Sequence, residues 1–218
     1  MISVADLLVD DRLPSNYFAS DVYVRGTLEL GLLENRRGDR LLALPSVLLK
    51  AIYDGLNNET GQATRLVLRN CGLWWGKNFY ARFCEELSDY YKKPVADFSM
   101  AEFMQSFQEC WRTHGWGQIH LDTDHHNQGF LVVSTQNSPF TAQVVQPQKP
   151  SGALEEGILQ TFFSQLTGRD LFCVQTSCES LGADRNRFVL GIEGRLKSAI
   201  ALVEAGQPHD AIMGVLTR

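Results

Sequence analysis

The sequence is short of positive charge, of long apolar runs and of the glycine signatures that cradle phosphates. Twenty Lys and Arg stand against 25 Asp and Glu, a formal net charge of -5. That balance provides no basic surface of the kind that neutralises nucleic-acid phosphates, so a nucleic-acid partner is not expected. No stretch approaches the roughly 18 apolar residues of a membrane-spanning helix. The most apolar helical stretch, 66–83, is interrupted by Arg69, Asn70, Lys77 and Arg82. The opening MISVADLLVDDRLPSNYF carries acids where a secretory signal carries basic residues, and a cytoplasmic protein is expected. Cysteine is sparse and odd in number: Cys71, Cys84, Cys110, Cys173 and Cys178 lie in apolar surroundings, which suits buried thiols rather than a disulfide framework. There is no nucleophile elbow, phosphate loop, dinucleotide fingerprint or acid/base constellation, so no catalytic residue is assigned and an enzyme is not expected.

The 218 residues suit one domain with an appended arm. Residues 1–44 read as that arm, ending in a hairpin: Thr27 to Leu30, a turn at Asn35 to Asp39, then Arg40 to Ala43. Residues 45–218 read as the main domain. Pro45-Ser46 opens a helix with Leu48, Leu49, Ile52 and Leu56 inward, broken at Gly55 to Asn58. A second helix runs from Glu59 to about Tyr91, with Gly72 and Gly76 marking a close backbone contact. Ser99 to Glu102 forms a capping box for a third helix, with Phe103, Met104, Phe107, Cys110 and Trp111 inward.

After Gly115 the period changes to two. Trp116 to Leu121 and Phe130 to Ser134 pair around a turn at Asp124 to Gly129, and Gln146 to Gly152 is a linking loop. A helix over Leu154 to Leu166, strands at Leu171 to Thr176 and Arg187 to Ile192, a helix over Leu196 to Glu204 and a short tail complete the chain. The order predicts an α+β fold: an antiparallel sheet of about four strands, with helices on one side.

Four segments carry a family resemblance: Gly72-Leu-Trp-Trp-Gly76, Gly115-Trp-Gly-Gln-Ile-His120, Asn137-Ser-Pro-Phe140, and the block GILQTFFSQLTGRDLFCVQTSCESLGADRNRFVLG over 157–191. In order and spacing they resemble the V4R (4-vinyl reductase) domain family, which shares its fold with the Bet3-type subunits of vesicle-tethering complexes. The resemblance covers roughly Leu44 to Gly191. It implies a unit that dimerises through helices and encloses an apolar pocket. It also implies links to aromatic sensing in bacterial regulators and to chlorophyll metabolism in phototrophs. The N-terminal hairpin and acidic balance are similar to a cyanobacterial member associated with photosystem assembly. Zinc-holding members place their ligands at positions equivalent to Gly152, Gln175, Cys178 and Asn186. Only Cys178 is a ligand type there, so no metal site is expected.

The ligand site is expected among aromatic residues beside Gly72 and Gly76: Trp74, Trp75, Phe79, Phe83, Phe107, Trp111 and Trp116, with His120 as a candidate axial ligand for a tetrapyrrole. A packed aromatic core is the alternative for most of these rings. The expected function is non-catalytic binding of a hydrophobic ligand, a chlorophyll-type tetrapyrrole, for photosystem assembly or pigment delivery. A homodimer, photosystem assembly proteins as partners, and a place at the edge of photosynthetic membranes go with it. The alternatives are a protein-docking scaffold, and an enzyme or accessory subunit of chlorophyll vinyl-group reduction.

Overall fold

The computed structural model describes residues 15–142 and 149–218. The first part of the arm (1–14) and the start of the linking loop (146–148) therefore lie outside the described residues. The chain forms two compact units: residues up to Ala43 with Cys84–His114, and Leu44–Phe83 with Gly115–Arg218.

In the first unit, α1 (Ser20–Tyr23) precedes a three-stranded antiparallel meander of β1 (Arg25–Thr27), β2 (Leu32–Glu34) and β3 (Arg40–Leu41). Thr27 to Leu30 is not one strand of a simple hairpin. Leu28–Leu30 is a tight 3-10 turn closed by Gly31 at φ 61°, a left-handed conformation that glycine adopts without a Cβ penalty. The expected turn at Asn35 to Asp39 does link β2 to β3. The Asn35 carboxamide oxygen accepts from the backbone of both Arg37 and Asp39 at 2.9 Å, an Asx arrangement that fixes the turn. Helix α4 (Met100–Thr113) starts with the complete Ser99/Glu102 capping box and buries Phe103, Phe107, Cys110 and Trp111.

The second unit is organised by close helix contact. Helix α2 (Ser46–Thr60) runs through Gly55 and ends only at Gly61, so the break at Gly55 to Asn58 does not occur. Its buried face is Leu49, Tyr53 and Leu56 against Leu68, Ala153 and Leu154, while Leu48 and Ile52 are exposed. The aliphatic residues alone misplaced that face because its one fully buried side chain is a tyrosine. Helix α3 (Thr64–Tyr91), of which the residues to Phe83 belong to this unit, crosses α5 (Ala153–Thr167) at three glycines. A Cβ on Gly72 would lie 2.1 Å from the Leu154 carbonyl oxygen. One on Gly76 would lie 2.6 Å from that of Ile158, and one on Gly157 2.3 Å from that of Arg69.

The sheet contains β4 (Gln118–Asp122), β5 (Leu131–Gln136), β6 (Phe172–Ser177) and β7 (Asn186–Gly191), antiparallel throughout in the order β4-β5-β7-β6. Successive side chains alternate faces. One face sets Val132, Val174 and Val189 against Leu196 and Ala199 of α6 (Glu193–Glu204) and Ile212, Met213 and Leu216 of α7 (His209–Leu216). Val133, Cys173 and Phe188 are buried on the other. Helices therefore do not lie on one side only, because the expected tail is α7 and its apolar residues cover sheet surface.

Candidate functional site

Four aromatic rings converge in the second unit. Trp75 and Phe79, one turn apart on α3, stack at 5.8 Å between centroids. Trp116 meets Trp75 edge-on at 4.8 Å and Phe79 at 5.3 Å. Phe140 closes the group at 6.5 Å from Trp75 and 6.2 Å from Trp116. Phe162 of α5 underlies it, 5.3 Å from Phe79 and 5.5 Å from Phe83. Phe79, Phe83 and Phe162 are buried, whereas Trp75 and Trp116 are half-buried, so the indoles form the part of the cluster that solvent reaches.

The other expected residues do not join it. Trp74 points outward at 72 % exposure, since one helical residue turns a side chain by about 100°. His120 is exposed; it pairs with Ser134 and so lies on the sheet face opposite Ile119 and Val133. Phe107 and Trp111 pack together at 5.7 Å inside the first unit. Phe140 and Phe162 belong to the cluster but were not singled out from sequence. Phe140 sits in the quoted Asn137-Ser-Pro-Phe140 segment, whose turn carries the ring toward Trp116.

The positions equivalent to the zinc ligands do converge, and a hydrogen-bond network occupies them. The Gln175 side-chain oxygen accepts from the Gly152 amide at 2.8 Å, and its NH2 group donates to Asn186 at 3.4 Å. Asn186 in turn donates to Glu179 at 2.7 Å, and Cys178 lies against the hydroxyls of Ser151 (3.4 Å) and Ser180 (3.1 Å). Two carboxamides, a glycine and one thiol do not supply the deprotonated set that zinc requires. Among the described residues there is no group of three or more His, Cys, Asp or Glu that could hold a metal ion.

A second network covers the edge of the sheet. The outward backbone N–H of Cys173 donates to Gln160 at 3.3 Å and that of Gln175 to Glu156 at 2.7 Å. Arg65 grips both oxygens of Glu156 at 2.8 Å, and Arg69 donates to Gln160 while lying over the Phe172 ring at 4.4 Å. Two α5 side chains thus stand in for a neighbouring strand. Beside this edge opens a cavity of about 260 Å³, walled by Arg65, Arg69, Phe172, Val174, Ile200 and Val203. None of these belongs to the aromatic cluster. Glu155 is fully buried at the start of α5, with Ser138 donating to it at 3.0 Å, and burial pushes its carboxyl up to about 8.

Comparison with known proteins bears on this geometry. The V4R domain matches residues 131–192. No curated protein matches the chain significantly. The fold is similar to the phenol-responsive sensory domain of the transcription activator PoxR, in a structure with phenol: 15% identity, 87% of this chain and 95% of that one, TM-score 0.62. It is also similar to a trafficking protein particle complex subunit 3 from Naegleria fowleri covalently bound to palmitic acid: 15% identity, 68% of this chain and 95% of that one, TM-score 0.50. No helix among the described residues is long and apolar enough to cross a membrane. The match to the V4R domain is thus confined to residues 131–192, and the chain has the V4R/Bet3-like α+β fold.

Proposed function

We propose that this protein is a non-catalytic binding protein for a small hydrophobic ligand, received by Trp75, Phe79, Trp116 and Phe140. The carrying observation is the pair of half-buried indoles meeting at 4.8 Å above the buried Phe79 and Phe162. Aromatic edges and faces presented together hold a further ring by offset or edge-on contacts of about 0.5–1.5 kcal/mol each. The four rings include no nucleophile or titratable group, which favours binding over turnover. The phenol in one fold neighbour and the palmitate in the other support an apolar ligand.

A chlorophyll-type tetrapyrrole, with a role in photosystem assembly, is the finer form of this reading. It rests on the family resemblance, and His120, turned to solvent on the other sheet face, offers that macrocycle no axial ligand at the cluster. The geometry therefore favours a single-ring ligand. The test is a titration with phenol and with a chlorophyll precursor, read by tryptophan fluorescence and absorbance. Saturable quenching that survives Trp74→Ala and disappears in Trp75→Ala supports the site. No saturable response to either compound overturns it.

A docking role has its own support in α2, where Val47, Leu48 and Ile52 are 76 %, 45 % and 51 % exposed. The partner proposed for that face is a second copy of the chain. Sedimentation equilibrium reads it: a dimer that Ile52→Glu converts to monomer supports it, and a monomeric wild type removes it.

A further inference from the structure

We propose that the cavity beside β6 is a separate site for an amphipathic monocarboxylate of about a dozen non-hydrogen atoms, its apolar body against Phe172, Val174, Ile200 and Val203 and its carboxylate at Lys149. The volume of about 260 Å³ equals the share of roughly nine liquid waters, which sets the ligand's size. Its long wall is aromatic and branched aliphatic, the lining that takes up a hydrocarbon body.

The polar part of the lining is cationic on balance: Arg65, Arg69 and Lys149 against Glu156 and Glu204. Arg65 is held by Glu156 and by the Pro150 carbonyl at 2.7 Å, and Arg69 by Gln160 and the Phe172 ring. Both guanidinium groups are thus fixed parts of the wall. Lys149 is exposed at the rim and has no ion-pair partner among the described residues, so its ammonium is the group available to an incoming anion.

Two further observations fix the kind of ligand. Strand β6 lies at the sheet edge, but its outward N–H groups at Cys173 and Gln175 are already taken by Gln160 and Glu156. An extended peptide would find no such donors for strand addition, so the cavity suits a small molecule. The Cys173 thiol also lines the cavity, but it is buried, and that burial raises its pKa well above the ordinary value and keeps it a poor nucleophile, so binding is non-covalent.

The experiment is calorimetric titration with 4-phenylbutanoate and with its neutral isostere 4-phenylbutanamide. The acid is expected to bind about fivefold tighter than the amide, the size of one rim ion pair, with Lys149→Glu removing that preference. Ile200→Trp, which fills the cavity from a partly exposed position, is expected to abolish binding of both. All of these titrations are read in a Trp75→Ala background, which disables the aromatic cluster, so that the remaining binding belongs to the cavity beside β6. No binding of the acid, equal affinities for acid and amide with Lys149 intact, or acid binding that persists in a folded Ile200→Trp variant overturns the proposal.

Discussion

The side-chain oxygen of Gln175 accepts from the amide of Gly152 at 2.8 Å and stands in the space a side chain at 152 would need: a Cβ there would come within 2.7 Å of it. The two residues fit only as a pair. Gly152 has φ -83°, which alanine also adopts, so backbone strain does not enter. Gly152→Ala is expected to displace the carboxamide, leave a buried N–H unpaired and cost about 1–3 kcal/mol, read by urea denaturation. An unchanged midpoint would show that Gln175 can move aside freely.

The edge network makes a second prediction. Glu156→Ala removes the carboxylate from a partly exposed Arg65 and uncaps the buried Gln175 N–H together, and the expected loss is about 2–3 kcal/mol. Gln160→Ala uncaps only Cys173 and should cost about 1–2 kcal/mol. The double variant exposes donors along β6, and light scattering should show concentration-dependent association that the wild type lacks.

At the crossing of α3 and α5, two effects of Gly76→Ala oppose each other. Alanine favours the helix by about 1 kcal/mol. Its Cβ, however, would lie 2.6 Å from the Ile158 carbonyl oxygen and 2.9 Å from the Ile158 Cα, which are backbone atoms that cannot step aside alone. The contact decides the sign. A net loss of about 2 kcal/mol is expected, lowering Tm by about 4–8 °C in a thermal melt.

Glu155 makes stability depend on pH. Burial raises its folded pKa from 4.5 to about 8, so the folded state holds a proton that the unfolded chain releases across that window. Its contribution is fully present below about pH 4.5 and is lost as pH rises toward 8, by at most about 1.4 kcal/mol per pH unit. Glu155→Gln keeps the shape and removes the titration. Denaturation midpoints of the variant relative to wild type are therefore expected to rise steadily from pH 5 to pH 8, and a constant difference would refute the assignment.

Much of the fold was legible in local pattern. The Ser99/Glu102 box, the left-handed Gly168 ending α5, and the change to period two after Gly115 are written within a few residues of where they act. The face of α2 was not legible, because Leu48 and Leu49 are equally apolar and only packing against Leu68 and Ala153 chose between them. Likewise the aromatic residues announced a cluster, but membership depended on direction: Trp74 and Trp75 are neighbours in sequence, and one is exposed while the other stacks on Phe79.

What the sequence by itself determined is the order of the main helices and strands from Pro45 to Glu204, the Ser99 cap and the closely approaching glycines. Each is a property of one residue type or of spacing along a single segment. Only the tertiary structure decided that Glu156 and Gln160 cap the β6 edge, that Gly152 and Gln175 share one space, and that the cavity lies away from the indoles. The hydrogen-bonded pairs among them are 13 to 23 positions apart, where sequence period carries no information and three-dimensional packing sets the neighbours.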